Sequence, residues 1–252
     1  MKRASVIRAY LDDVAISAYL SSNYWRVRVL DEVGSTQDIL KTELVSNGDC
    51  VVAEFQSAGR GRLDRKFESV PNVALLFSFY IEPDRNSQWG WIPLIAGTAV
   101  ARTLNEITNT QSFTTKWPND VLAPSGKICG VLCEKYKDGI IVGIGINVST
   151  TEAELPVETA SSIFIESGLE IDRNELLPKV LLEFQKLFSR WNKGEDLRPT
   201  YRALSGTIGR EVSVVLPHRS PLEGIAIDVD SEGQLRLESG DLVSVGDVVH
   251  LR

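Results

Sequence analysis

Apolar residues follow two different spacings along most of the chain. Runs of strand length, in which apolar residues alternate or follow one another directly, occupy residues 25–30, 50–55, 73–81 and 140–148. At residues 92–107 and 177–191 the apolar positions instead recur every three or four residues, which predicts amphipathic helices. Strands and helices of these lengths predict an α/β domain in which helices cover a sheet.

The location of the most apolar segment and the secondary structure of the N-terminal segment are considered next. The run from Val73 to Ile81 predicts either a strand covered on both faces or a strand at a subunit interface. Helical spacing within residues 1–24 predicts one helix, with apolar positions at Val6, Ile7, Tyr10, Leu11, Val14 and Ala18. A single helix is too little for a helix-turn-helix module.

Residues 205–252 differ in character from the rest of the chain. Short alternating segments are separated by the turn-forming sequences DSEG and SGD. Their apolar positions are Val212, Val214, Leu216, Ile225, Ile227, Val229, Leu235, Leu237, Val243 and Val245. This spacing predicts a small β-barrel or sandwich beginning near Ser205, and hence two domains at residues 1–204 and 205–252.

Composition and charge narrow the class of protein. The 252 residues are 43% hydrophobic with a net charge of -7, as expected for a globular chain without a broad nucleic-acid surface. No apolar run reaches the ~18 residues that cross a bilayer, and no signal peptide is recognisable, so we expect a cytoplasmic protein. The spacing of Cys50, Cys129 and Cys133 completes neither a disulfide framework nor a metal site, and we expect small buried residues there.

The segment QSAGRGRLDRKF at residues 56–67 combines backbone freedom with positive charge. Gly59 and Gly61 lack a Cβ, so the backbone there is free to take positive φ and to approach a ligand with its N–H groups. The cations of the segment are Arg60, Arg62, Arg65 and Lys66. In an acidic chain they indicate a multiply charged anion, with phosphate favoured because guanidinium groups bind its oxygens in pairs. The alternative is a solvated basic loop without a ligand.

Two further stretches offer hydroxyl groups or bare strand surface. Ser35 and Thr36 precede a helix that starts near Gln37, where their hydroxyls could cap the helix and also bind a polar ligand. Gly143 and Gly145 leave the surface of one predicted strand without side chains. Glycine weakens a strand, so we expect either close approach of a ligand or tight packing of the sheet at this point.

Two lysines stand next to predicted turns. In the stretch TTKWPNDVL, Pro118 interrupts a strand and presents Asn119 and Asp120 at a bend beside Lys116. A turn needed for geometry alone would not require the lysine and tryptophan, so we expect this bend to face a ligand. In the following stretch SGKICG, Lys127 is the single cation between two glycines.

In combination, these motifs resemble those of biotin protein ligases. The resemblance covers residues 25–252 and rests on GRGR at 59–62, KWPND at 116–120, Lys127 and GIGIN at 143–147, in this order. Neither a Walker phosphate loop nor a GxGxxG fingerprint is present. The family implies an α/β (α+β) chain, with a mixed-sheet catalytic domain of the biotin/lipoate ligase type followed by a small SH3-like β-barrel.

The resemblance also implies a two-step reaction with ATP and Mg²⁺. Biotin is activated to biotinyl-5′-AMP with release of pyrophosphate, and is then transferred to a lysine of a biotin carboxyl carrier protein domain, such as that of acetyl-CoA carboxylase. By resemblance, Lys127 and Arg62 are catalytic. The implied biotin-binding residues are Ser35, Thr36, Gln56, Arg60, Gly61, Arg62, Lys127, Gly130 and Gly145. Those implied for ATP are Arg62, Arg65, Phe67, Lys116, Asn119, Lys127 and Asn147, with Asp120 for the metal.

The chain departs from the family pattern in three places. The usual Ser-Thr-Asn reads Ser35-Thr36-Gln37, and Phe67 stands where many members have tryptophan. Family members that repress transcription carry an N-terminal DNA-binding domain, whereas only residues 1–24 precede the catalytic region here. We therefore expect neither DNA nor a membrane as a partner.

Two other functions stay open. A lipoate or other acyl ligase would use the same adenylation chemistry with an acyl pocket of different length. A non-catalytic sensor of biotin or nucleotide would keep the fold but would not need a cation at Lys127. The sequence is compatible with a monomer or a homodimer.

Overall fold

A computed structural model describes residues 8–20, 24–42, 44–62, 65–84, 88–216 and 220–251. The larger of its two sheets has the strands β1 Arg26–Val33, β2 Asp49–Gln56, β3 Ala74–Ile81, β4 Thr114–Lys116, β5 Asp120–Ala123, β6 Gly126–Tyr136 and β7 Gly139–Asn147. The smaller sheet has the strands β8 Glu211–Val215, β9 Leu222–Val229, β10 Leu235–Leu237, β11 Leu242–Val243 and β12 Asp247–His250. The α-helices are α1 Asp13–Tyr19, α2 Thr36–Thr42, α3 Trp91–Thr108, α4 Ile163–Ser167, α5 Arg173–Asn192 and α6 Arg198–Arg202, with a 3-10 turn at Glu152–Glu154.

The larger sheet is mixed, in the order β1-β2-β3-β7-β6-β5-β4. β1 runs parallel to β2, and the other neighbouring strands are antiparallel. β3 lies between β2 and β7, and all of its 8 residues are buried. The apolar run at residues 73–81 is therefore a strand covered on both faces and not an interface strand.

The predicted long helices cover one face of this sheet. α3 and α5 pack against each other and share a core with β3. Phe184 of α5 lies edge-on to Phe79 of β3, with ring centroids 4.7 Å apart, which is a favoured geometry for aromatic pairs. On the opposite face, Leu40 of α2 packs on Tyr80 of β3. The shorter α2 leaves part of that second face uncovered, and the candidate site lies there.

The N-terminal helix is shorter than its apolar pattern predicts. α1 begins at Asp13, because the carboxylate of Asp12 caps it by accepting the N–H of Ala15 at 2.8 Å. Immediately before the cap, the backbone N–H of Leu11 donates to the side chain of Glu54 on β2, so this residue is tied to the sheet. The prediction is wrong for Tyr10 and Leu11, which precede the helix, while Val6 and Ile7 lie outside the described residues.

The C-terminal strands form the predicted small antiparallel β domain, in the order β11-β10-β9-β8-β12. The predicted apolar alternation of β9 places Val229 correctly, since it is buried, but is wrong for Ile225 and Ile227, which are exposed, whereas Ala226 is buried. The register with β10 shifts after Arg236. Through this shift both Ala226 and Val229 meet buried leucines of β10, although an unbroken strand would point them to opposite faces.

The small domain packs against the start of α3 and the turn between β4 and β5. The indole N–H of Trp91 donates to the carbonyls of Asp230 at 3.2 Å and Ser231 at 3.0 Å. The indole N–H of Trp117 donates to the carbonyl of Gly233 at 3.0 Å. Buried residues of both parts belong to one continuous core. The division between residues 204 and 205 stays a prediction.

The structure also bears on the expected burial of the cysteines and on the presence of metal-binding clusters and membrane-spanning helices. All three cysteines are free, and Cys50 and Cys129 are buried as expected, whereas Cys133 is half-buried. Burial raises the pKa of each thiol far above its ordinary value. Within the described ranges, no group of three His, Cys, Asp or Glu side chains could hold a metal ion. None of the helices in those ranges is long and apolar enough to cross a membrane.

Candidate active site

A pocket opens on the sheet face that α2 leaves uncovered. It lies between α2, β12 and the basic loop, which we define as residues 59–67 and of which Leu63 and Asp64 lie outside the described residues. The predicted site residues that line it are Ser35, Thr36, Gln56, Arg60, Gly61, Arg62, Arg65, Phe67, Asn119, Asp120, Lys127, Gly130 and Gly145. Lys116 and Asn147 lie outside this lining. The fold thus brings together motifs that are far apart in sequence.

One part of the lining is uncharged, and we call it the neutral cluster: Ser35, Thr36, Gln37, Gln56 and Ser78. Thr36 donates its backbone N–H to Gln56 Oε1 at 2.7 Å and its hydroxyl to the same oxygen at 3.0 Å. That hydroxyl also lies 2.7 Å from the hydroxyl of Ser78. It therefore does not cap α2, which was one of its predicted roles. Thr36 and Ser78 are 2% and 0% exposed, so these bonds fix polar groups inside a low-dielectric wall.

Three glycines on the pocket side of β6 and β7 make room for protein side chains. A Cβ at Gly130 would lie 3.2 Å from Lys127 Nζ, and one at Gly145 would lie 2.7 Å from the ring of Phe67. A Cβ at Gly143 would lie 2.9 Å from Gln37 Cδ. Gly130 and Gly145 were predicted to leave room for a ligand. In this structure the space above each of them is taken by a side chain of the protein itself.

The basic loop is a small hairpin. The N–H of Phe67 donates to the carbonyl of Gly59 at 3.0 Å, and the N–H of Gly61 donates to the carbonyl of Arg65 at 2.7 Å. The two glycines do not use their freedom to take positive φ, since neither is among the described residues with positive φ. The reason for glycine is crowding, because a Cβ at Gly59 would lie 2.4 Å from the carbonyl oxygen of Phe67.

Arg60 ties the basic loop to α2 and β6. Its guanidinium lies 2.8 Å from the Asp38 carboxylate and 3.1 Å from that of Glu134, which also lies 3.0 Å from Lys41. Each pair is partly exposed and worth at most about 1 kcal/mol. Together they hold the loop beside the neutral cluster, so the alternative of a freely solvated loop is not what the structure shows.

Arg62 and Arg65 tie the same loop to the small domain. Arg62 donates to Asn119 Oδ1 at 3.0 Å and to the carbonyl of Gly246 at 3.2 Å, and lies 3.6 Å from the Asp247 carboxylate. Arg65 forms an ion pair with the same carboxylate. One acidic residue of β12 therefore pairs with two of the cations that face the pocket and balances one of their two charges.

Lys127 is held both by its backbone and by its charge. Its N–H donates to the carbonyl of Thr159 at 2.8 Å, and its carbonyl accepts the N–H of Ser161 at 2.9 Å. Its ammonium lies 2.6 Å from the Asp120 carboxylate, yet its side chain is 41% exposed. The result is a well-placed cation, balanced by one carboxylate and accessible to an anion that enters the pocket.

Two residues predicted to bind ATP lie beside the pocket. Burial, together with the nearby charge of Lys127, lowers the pKa of Lys116, while Asp120 and Asp247 oppose this shift. Asn147 is 7% exposed and donates its side-chain amide to the carbonyl of Ser161 at 2.9 Å. Asn147 therefore supports the backbone that holds Lys127. Its contact with adenine stays a prediction.

The carboxylates of the pocket do not fit a protein-bound magnesium ion. Asp120 and Asp247 are the acidic residues of the described lining, and each is already balanced by lysine or arginine. Mg²⁺ requires several oxygen ligands in octahedral geometry. The prediction of Asp120 as a metal ligand gains no support from this arrangement.

The lining residues that the sequence reasoning did not assign to the site include Ser78, Gly143 and Asp247. Ser78 could have been found from the sequence, because it is a serine within a strand that is otherwise aliphatic or aromatic. Gly143 was noticed as a bare position, but its partner Gln37 could not be inferred. Asp247 carried no signal, since its pairing with arginines of a remote loop arises only when the small domain packs against the sheet.

Sequence and structure both match proteins of one family. Residues 29–150 match the model of the biotin/lipoate A/B protein ligase family. The chain is 35% identical over 262 residues to the biotin–acetyl-CoA-carboxylase ligase of Mycobacterium tuberculosis, with 98% of both chains covered. It is 30% identical to the bifunctional ligase/repressor BirA of Salmonella typhimurium, covering 96% of this chain and 78% of that protein.

The fold agrees with these relationships. The structure is similar to that of the biotin protein ligase from Aquifex aeolicus in complex with biotin and ATP, with a TM-score of 0.80 and 33% identity over 90% of this chain and 98% of that one. The predicted mixed-sheet domain with a small C-terminal β domain is thereby confirmed. The chain belongs to the biotin/lipoate A/B protein ligase family, and within it to the biotin protein ligases.

Proposed function

We propose that this protein activates biotin with ATP, giving biotinyl-5′-AMP and pyrophosphate, and then transfers biotin to a lysine of a biotin carboxyl carrier domain such as that of acetyl-CoA carboxylase. The observation that carries the proposal is a single pocket in which buried neutral hydrogen-bonding groups adjoin accessible cations. The Mycobacterium ligase and the Aquifex complex with biotin and ATP support the same activity.

The neutral cluster suits the ureido head of biotin. A ureido group has one carbonyl acceptor and two N–H donors, and Thr36, Gln56 and Ser78 offer hydroxyl and amide partners for it. The saturated end of an acyl chain would cover the remaining donors and acceptors of these groups without bonding to them, at a cost of about 1–3 kcal/mol for each buried group left without a partner. A pocket built for hydrogen bonds rejects ligands that lack them. This disfavours the alternative of a lipoate or other acyl ligase.

The cationic cluster, which we define as Arg62, Arg65, Lys116 and Lys127, suits the first chemical step. A carboxylate oxygen of biotin attacks the α-phosphorus of ATP, and the bond from that phosphorus to the leaving pyrophosphate breaks. Two anions must meet for this to happen. Lys127 neutralises their repulsion, and Arg62 stabilises charge on the phosphoryl oxygens. A sensor of the neutral parts of biotin would not need a cation at Lys127.

In the second step the uncharged amine of the acceptor lysine attacks the acyl carbon of biotinyl-5′-AMP. The bond from that carbon to the phosphate oxygen breaks, AMP leaves, and the amine nitrogen loses a proton. Until the acceptor arrives, the mixed anhydride has to be kept from water. The basic loop, tied down on both sides by Arg60 and Arg62, is placed to cover it.

The proposed reaction also assigns residues to the adenine and the phosphates of ATP. We assign Phe67 to the adenine, and Lys116, Asn119 and Arg65 to the phosphates. A contact from Asn147 to the adenine would require its amide to leave the carbonyl of Ser161. Magnesium would enter with ATP, whose phosphate oxygens, together with water, would supply most of its ligands.

Partners and location complete the proposal. We propose a cytoplasmic protein that acts as a monomer or a homodimer on a carrier domain and does not bind DNA. Sequence-specific binding of the purified chain to an operator fragment in a gel-shift assay would contradict the last point.

The test is release of pyrophosphate from ATP by the purified protein, with biotin, lipoate, octanoate or no acid, and mass spectrometry of the bound product. We expect release with biotin alone and bound biotinyl-5′-AMP. Release with lipoate or octanoate but not with biotin would overturn the assignment of the substrate. Binding of biotin without any pyrophosphate would favour the sensor.

A further inference from the structure

Gln37 lies across the bare surface of Gly143. It follows Thr36 in α2, is 4% exposed, and lines the pocket. A Cβ at Gly143 would lie 2.9 Å from Gln37 Cδ and 3.1 Å from its Cγ and Nε2. Real Cβ atoms do not approach other atoms this closely. The path of the Gln37 side chain therefore requires that residue 143 has no side chain.

A hydrogen bond holds Gln37 in this path. Its Nε2 donates to the carbonyl of Leu132 at 2.9 Å, and Leu132 and Gly143 are register partners on β6 and β7. A backbone carbonyl only accepts hydrogen bonds, so the amide nitrogen has to face it. A long and flexible side chain is thus fixed over two neighbouring strands, directly beside the polar groups of Thr36.

We propose that Gln37 and Gly143 act as a matched pair that forms part of the wall of the acid pocket, so that the size of residue 143 controls biotin affinity through Gln37. This inference rests on the proposed function, because it assigns a further positioning pair to the same acid site. The pair has no role in the chemical step. Both residues lie with the neutral cluster, and the carbonyl that holds Gln37 belongs to Leu132, which is further along β6 than Lys127.

The coupling predicts how substitutions combine. Gly143→Ala alone forces the Gln37 amide off the Leu132 carbonyl and into the pocket, and biotin affinity should fall about tenfold or more, the range expected for overpacking. Gln37→Ala removes the side chain that Gly143 accommodates. Adding Gly143→Ala to Gln37→Ala should then change biotin affinity by less than about twofold, a non-additive result typical of residues in contact.

The experiment is calorimetric binding of biotin, without ATP, to the full chain and to the two single variants and the double variant. Gly97→Ala in α3 is the matched control, because its Cβ would meet its nearest neighbour at an ordinary 3.8 Å. The Michaelis constant for ATP and the thermal unfolding temperature are measured in parallel. We expect loss of biotin affinity in Gly143→Ala, no change in the constant for ATP, and no change in Gly97→Ala.

The proposal would be overturned if Gly143→Ala lowered biotin affinity equally in the presence and in the absence of the Gln37 side chain. It would also be overturned if the variant weakened biotin binding and raised the Michaelis constant for ATP by the same factor. If Gly143→Ala alone does not fold, the double variant decides. A biotin affinity equal to that of Gln37→Ala supports the proposed pair, whereas failure of the double variant to fold contradicts it. Failure of the proposed function would instead be seen in the unsubstituted chain, as biotin binding without pyrophosphate release.

Discussion

The neutral and cationic clusters of the pocket are held in place by different forces. The neutral cluster is buried, stands on α2, β2 and β3, and is joined by uncharged hydrogen bonds. The cationic cluster stands on a loop and at strand ends, is partly exposed, and is held by Asp120 and Asp247. An entering anion can replace the partly exposed Asp247 carboxylate at Arg62 and Arg65, whereas the buried Oδ1 of Asp120 depends on Lys127 for its pairing. The neutral half is thus preformed, whereas the charged half is able to rearrange when ligand binds.

The largest expected effect tests the scaffold of the neutral half. Glu54 stands two residues before Gln56 on β2 and pairs with Arg173 of α5 at 2.7 Å, with side chains only 6% and 3% exposed. Arg173→Met would leave a buried carboxylate without its cation and should lower the free energy of unfolding by about 3–5 kcal/mol. Chemical denaturation measures this loss.

The matched control for that substitution is Arg190→Met. Arg190 pairs with Glu195 at the exposed end of α5, where an ion pair is worth at most about 1 kcal/mol. Similar small losses in both variants would contradict the view that the neutral half rests on a rigid buried scaffold.

The next effect concerns the hydrogen bonds of the neutral half. Thr36→Val removes the hydroxyl shared by Gln56 and Ser78. Unpaired buried groups cost about 1–3 kcal/mol, so biotin affinity should fall about 10- to 100-fold, while the Michaelis constant for ATP stays unchanged. Calorimetry and steady-state kinetics give the two values. Thr98→Val is the control, since the Thr98 hydroxyl donates within α3, to the carbonyl of Leu94. A changed Michaelis constant for ATP in Thr36→Val would argue against separate neutral and charged halves of the pocket.

The smallest effect concerns the carboxylate that balances the charged half. Asp247→Asn releases Arg62 and Arg65 from an ion pair of the partly exposed kind, worth at most about 1 kcal/mol. We expect the Michaelis constant for ATP to fall by up to about fivefold. Asp49→Asn, which breaks an exposed pair with Arg26 far from the pocket, should leave it unchanged. A rise of tenfold or more would mean that Asp247 is needed to position the loop.

Local features of the fold and site were predictable, and long-range ones were not. Periodicity placed β3 and α5 because burial along an element depends mainly on its own residues. The inward face of β9 was misjudged because it depends on a register shift in its neighbour β10. Likewise, the motifs identified Lys127, but its partner Asp120 and the role of Asp247 depend on how separate strands and the small domain meet.

The most direct test of the division into a binding half and a chemical half is Lys127→Ala, measured by single-turnover pyrophosphate release and by biotin calorimetry. Lys135→Ala, which removes a cation further along β6 beside Trp89, is the control. We predict that release slows about 100-fold or more, as for loss of one preorganised charge-stabilising group. Biotin affinity should fall far less than the rate of release, because Lys127 contacts only the carboxylate end of biotin, and the unfolding temperature should change little. Release at the rate of the unsubstituted protein would contradict the account.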